Sequence, residues 1–112
     1  MKSITLKISK EEIQGKKTIF TTYDILKICA NKAVEGGFSV DEMKARIRLL
    51  NELDKHQGLF KKEFPENDEA ALQVTAELEL EDADYAKLKE LAKSTKWGIV
   101  SKTIIELIDS FE

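Results

Sequence analysis

His56 and Cys29 are the only histidine and cysteine of this 112-residue chain, and these residue types most readily supply a base or a thiolate near neutral pH. His56 stands at the end of an exposed helical pattern, with no nucleophile near it in sequence. Cys29 falls on an apolar stripe beside Ile25 and Ala33, where a free cysteine acts as a small hydrophobe. The chain has no G-x-S-x-G elbow, no phosphate-binding glycine loop and no G-x-G-x-x-G. The expectation is a protein that is not an enzyme and uses no cofactor.

Two charged constellations remain. Glu77, Glu79 and Glu81 alternate along one segment, with Asp82 and Asp84 following. Such oxygens suit calcium or magnesium, but carboxylates that project in parallel from a strand need ligands from elsewhere to enclose an ion. No calcium-loop spacing is present, so no metal is expected. A solvated acidic face explains the row and also discourages aggregation at a sheet edge. If the row is functional, its complement is a basic protein surface. Glu77, Glu79 and Glu81 are therefore candidate partner contacts, joined by Trp97, a residue type enriched at binding hot spots. For Trp97, packing into the corner between two helices is the favoured reading. The basic constellation is Lys16, Lys17, Lys44, Arg46 and Arg48. Lys44 and Arg48 share a helix face and suit phosphate contacts, but Glu42 and Glu52 accompany them. The net charge of −3 disfavours sequence-independent nucleic-acid binding. A helix pair over residues 84–111 superficially suggests DNA reading, yet its second helix offers only Lys102 against Glu106, Asp109 and Glu112. Nucleic-acid regulation is the alternative to a protein partner.

These residues must be positioned by a single domain spanning residues 1–112. Ile4, Leu6 and Ile8 alternate with polar neighbours and predict a strand, Ser9–Lys17 a turn or irregular segment, and Thr18–Thr21 a second strand. A helix is predicted from Thr22, carrying Ile25, Leu26, Cys29, Ala33 and Val34 and stopping at Gly36-Gly37. Ser39 and Glu42 form a capping box for the next helix, with Phe38 and Met43 in the staple positions. That helix should run to about Lys55 with Val40, Met43, Ile47 and Leu50 on one face, and pair Glu42 with Arg46 and Arg48 with Glu52. Residues 57–70, charged and interrupted by Pro65, are expected to be a mobile loop. Leu72, Val74, Ala76, Leu78 and Leu80 then alternate with polar residues as a strand, which should pair with the first and bring Lys7 near Glu77 or Glu79. Asp82 or Asp84 caps a helix holding Tyr85, Leu88, Leu91 and Ala92. A last helix carries Val100, Ile104, Leu107, Ile108 and Phe111. The fold class is α+β, a small antiparallel sheet covered on one face by about four helices.

The longest apolar runs are far below the ~20 residues that span a bilayer, so no membrane association is expected. The N-terminus lacks the apolar block of a signal peptide, and one cysteine makes no internal disulfide, so a cytoplasmic location is expected. Charge is uneven, +3 over residues 1–56 and −6 over residues 57–112. Two segments, Glu35–Leu50 and Leu78–Lys89 followed by Trp97, resemble small uncharacterised proteins of tailed phages and prophages. The resemblance covers about a third of the chain. It implies a phage accessory protein acting in the host cytoplasm and carries no active site or cofactor. The functional expectation is a non-enzymatic module that binds a host or phage protein stoichiometrically. Because the apolar stripes at 40–50 and 100–111 both require cover, a homodimer is also expected.

Overall fold

Ile4, Leu6 and Ile8 are buried while Ser3, Thr5 and Lys7 between them are exposed, so one face of the first strand meets a core and the other meets water. The computed structural model describes residues 1–60 and 73–111. Along them run β1 (Lys2–Ile13), β2 (Lys16–Thr21), α1 (Thr22–Asn31), α2 (Val40–Asp54), α3 (Gln57–Phe60), β3 (Thr75–Leu80), α4 (Asp82–Ser94) and α5 (Lys102–Asp109). The three strands make one antiparallel sheet in the order β2-β1-β3, and the fold is α+β.

β1 is longer than its apolar alternation suggests. Only Gln14 and Gly15 form the turn, both with positive φ (52° and 78°), and pairing with β2 draws Ile13 and the polar residues Ser9–Glu12 into the strand. On the other side of β1, Ile4 faces Leu78 and Leu6 faces Ala76. That apolar register sets Lys7 opposite Thr75 and Thr5 opposite Glu77. The Thr5 hydroxyl, rather than Lys7, donates to Glu77 Oε1 at 2.7 Å.

α1 stops at Asn31, so Ala33 and Val34 of the expected stripe lie beyond it and are exposed. Gly36 and Gly37 do adopt left-handed φ (86° and 87°), but they shape the following turn, where the Gly37 amide donates to the Val34 carbonyl at 3.1 Å. The end of α1 is held from another helix. Arg46 Nη1 donates to the carbonyls of Ala30 at 3.1 Å and Lys32 at 2.9 Å, with Cys29 at 3.5 Å. The guanidinium lies 5.0 Å from the Phe38 ring centroid.

This contact also sets the roll of α2. Arg46, Leu49 and Leu53 are its buried residues, while Val40, Met43 and Ile47, expected to face the core, are exposed and Leu50 is half-buried. Ser39 caps the helix by accepting from the Glu42 amide at 3.1 Å. The Glu42 carboxylate does not return to Ser39; it takes Arg46 Nε at 3.0 Å and Lys87 Nζ of α4 at 2.7 Å. Arg48 reaches Asp84 at 3.1 Å instead of Glu52, which pairs with Lys55 at 2.9 Å.

The segment expected to be a mobile loop begins with α3, whose buried Phe60 stacks on Tyr23 at 6.2 Å. The rest of that expectation, and Leu72 of the expected strand, lie outside the described residues. Tyr85, Leu88, Leu91 and Ala92 are buried along α4, whose N-cap is Glu81 with no side-chain hydrogen bond, so neither Asp82 nor Asp84 caps it. Ser101 opens α5, leaving Val100 exposed ahead of it, and Ile104, Leu107 and Phe111 are covered within the chain.

Arg46→Met should lower unfolding stability by about 3 kcal/mol, because the α1 carbonyls and Glu42 lose a buried cation. Arg48→Ala, which breaks an exposed pair, should cost less than ~1 kcal/mol. Ser39→Ala should cost about 1 kcal/mol through loss of the single N-cap hydrogen bond to the Glu42 amide. Gly36→Val should cost more than Ser39→Ala, since a β-branched residue is strained at positive φ. Urea denaturation of the four variants ranks them.

Candidate interaction surfaces

Glu77 and Glu79 stand on the exposed face of β3, but Glu81 has left the strand and is the N-cap of α4. The three therefore do not form one strand row. Glu77 is held by Thr5, while Glu79, Glu81, Asp84 and Glu52 border a small recess with Lys55 and Met1. Among the described residues no group of three or more His, Cys, Asp or Glu side chains is arranged to hold a metal ion.

The basic set is divided. Lys16 and Lys17 are exposed at the hairpin end of β2, Lys44 is exposed on α2, Arg48 is paired with Asp84, and Arg46 is buried among backbone carbonyls. No phosphate reaches Arg46 without dismantling the end of α1. Trp97 is half-buried against the core, and its Nε1 has no hydrogen-bond partner. It borders the hairpin tip with Glu12, Ile13 and Gln14. Cys29 is fully buried, and burial pushes its thiol pKa up, away from reactivity. His56 is half-buried in the turn after α2.

A different surface emerges from the roll of α2. Val40 is 62% exposed, Met43 45% and Ile47 54%, and Phe38 precedes them at 37%. Their spacing of three and four residues sets Val40, Met43 and Ile47 along one side of the helix. Phe38 and Met43 meet Ala30 and Asn31 across a small cleft, and Asn31 also borders a shallow recess that holds the exposed Ile28. The apolar surface thus runs from α2 onto α1. The sequence shows the stripe plainly; the competing stripe of Arg46, Leu49 and Leu53 conceals which side faces out, because an arginine is not expected to lead a core face.

Glu11 makes the structural contact that the sequence conceals most fully. From β1 its carboxylate accepts from the Ser101 hydroxyl at 2.7 Å and from the amides of Lys102 at 2.9 Å and Thr103 at 3.0 Å. A carboxylate at the positive end of a helix is favourable, and here it ties α5 to the sheet. Hydrogen bonds from the Thr103 backbone and the Ser101 hydroxyl hold the Glu11 pKa down at about 2. No family model, curated protein or solved structure matches the chain.

The Glu11 contacts predict an acid limb in stability. The folded pKa is depressed, so the stabilisation is complete above the unfolded value near 4.5 and is lost as pH falls toward about 2. Denaturant melts from neutral pH down to about 2 should show wild type falling toward Glu11→Gln, with the gap between them closing at the acid end.

Proposed function

We propose that the protein is a non-enzymatic binding module that engages a protein partner stoichiometrically through the apolar surface of Phe38, Val40, Met43 and Ile47. The observation that carries this reading is that α2 buries one stripe in its own core and leaves a second, wholly apolar stripe in water. With Ile28 and Val34 these side chains offer on the order of 500 Å² of apolar area, at the upper end of the largest patch on a typical monomer. Such a stripe fits the apolar face of a partner helix laid along it. Lys44 and Lys32, exposed beside it, favour a partner helix with acidic flanks. The resemblance to tailed-phage proteins supplies the setting we propose, an accessory protein acting on a host or phage protein. The nucleic-acid alternative is weakened by the engagement of Arg46 and Arg48 inside the chain.

Val40→Glu with Ile47→Glu replaces exposed side chains, so folding stability should stay within about 0.5 kcal/mol of wild type. Capture of a protein partner from nuclease-treated lysate, followed with purified components, should fall at least tenfold (roughly the loss of 1.4 kcal/mol). Glu77→Lys with Glu79→Lys should change the association rate alone. Capture that survives the α2 pair, or that collapses with rising salt as phosphate binding does, rejects the proposal. Light scattering on the same variants tests whether the partner is a second copy.

A further inference from the structure

In an antiparallel ladder the backbone N–H and C=O of a residue turn to the same side, and successive residues alternate sides. The two-residue turn makes Ile13 and Lys16 the closing pair, so Ile13, Glu11 and Ser9 direct their backbone groups at β2. Lys7 keeps this parity, but β2 has ended at Thr21 opposite Ile8, and the Lys7 amide donates instead to the Thr22 hydroxyl at 3.3 Å. Ser3 and Thr5 share the parity of Lys7. Their backbone groups turn to the side β2 has vacated, while β3 occupies the other side of β1 from Lys2 to Lys7. Among the described residues no strand pairs with that side of Ser3–Thr5.

A groove of about 410 Å³ runs along this open edge. Ser3, Thr5, Lys7 and Thr22 line one wall, and Glu106 and Leu107 of α5 line the other. Glu11 holds the second wall in place from the far end of β1, through the start of α5.

We propose that this edge is a strand-addition site, which accepts an extended segment of a protein partner antiparallel to β1 and in line with β2. The site is separate from the α2 surface, and neither depends on the other. From Ser3 to Lys7 the edge spans ~13 Å, the length of about five strand residues. The groove is bounded by α5 along its side and by the start of α1 at Thr22, and Lys7 and Glu106 on its walls set the charge pattern of the segment it takes. Main-chain hydrogen bonds to Ser3 and Thr5 provide affinity, and alternate side chains provide selectivity. Segment residues opposite Ile4 and Leu6 point toward the core side and should be apolar. The residue opposite the exposed Lys7 should be acidic, and a residue beside Glu106 basic or hydroxyl-bearing.

The probe is an end-capped peptide, Gly-Asp-Val-Thr-Val-Lys-Gly, titrated into isotopically labelled full-length protein and followed through backbone amides. Saturable shifts at Ser3 and Thr5, with slowed exchange of both amides, are expected. Thr5→Pro removes an amide that β3 does not use and should weaken binding about tenfold. Replacing the peptide's Asp by Lys should weaken it similarly, and Lys7→Glu should restore that loss. The Lys7→Glu exchange leaves the backbone untouched and decides the matter if Thr5→Pro does not fold. The proposal is overturned by the absence of saturable shifts at millimolar peptide, or by Ser3 and Thr5 amides as protected in the free protein as those of Ile4 and Leu6. Protection that grows with protein concentration alone overturns it in favour of a second copy.

Discussion

The guanidinium of Arg46 decides how the helical layer is assembled. A buried cation is costly unless it meets an opposite charge and hydrogen-bond acceptors, and here Glu42 supplies the charge while Nε and Nη1 both find acceptors. Nη1 takes the carbonyls at the negative end of α1, Nε takes Glu42, and the flat group rests against Phe38. Glu42 passes the contact on to Lys87 at 2.7 Å, so one network joins α1, α2 and α4. Hydrogen bonds from Lys87 and then Arg46 hold the Glu42 carboxyl below the usual carboxylate range. Once Arg46 is committed to α1, Leu49 and Leu53 must turn inward with it, and Val40, Met43 and Ile47 must turn out.

Glu11 plays the reciprocal part. Arg46 brings a cation to the C-terminal end of α1, and Glu11 brings an anion to the N-terminal end of α5. In each case the charge comes from another element, so the hydrogen bonds that finish a helix also fix where that helix sits. α5 is short, and isolated helices of its length are marginal in water. It owes its place to the Glu11 contacts and to Ile104, Leu107 and Phe111, the last packed at 5.4 Å against Tyr85.

Local chemistry made some of this legible. The alternation of β1, the Ser39 cap and the α4 stripe follow from spacing alone and are found where the residues indicate, while β3 holds Ala76, Leu78 and Leu80 of its expected stripe and begins after Val74. What the sequence did not reveal depends on partners distant along the chain. Ser9–Glu12 is polar and reads as a turn or irregular segment until β2 supplies its ladder. Ala33 and Val34 extend a helical stripe, but Arg46 ends the helix before them. On spacing alone, the four hydrophobes Val40, Met43, Ile47 and Leu50 outweigh a stripe headed by arginine, and only the α1 carbonyls reverse that preference. The acidic row was legible in outline, though Glu81 is diverted by the start of α4 and Glu77 is tethered to Thr5.

The distribution of charge that results bears on the kind of partner the molecule suits. The strongest basic run in the sequence, residues 44–48, contributes one buried arginine and one arginine tied to Asp84. Cations committed in this way cannot release counterions from a phosphate backbone without first breaking contacts of the fold. The outward face of the sheet carries Glu77 and Glu79, which repel phosphate, while the outward side of the helical layer is apolar along Val40, Met43 and Ile47. An apolar stripe in water gains most from another apolar surface, and an acidic sheet face guides the approach of a basic one. Both properties support the proposed protein partner over a nucleic acid, but they have separate origins: the withdrawal of Arg46 into the core turns the apolar stripe outward, and the alternation of β3 sets the acidic face.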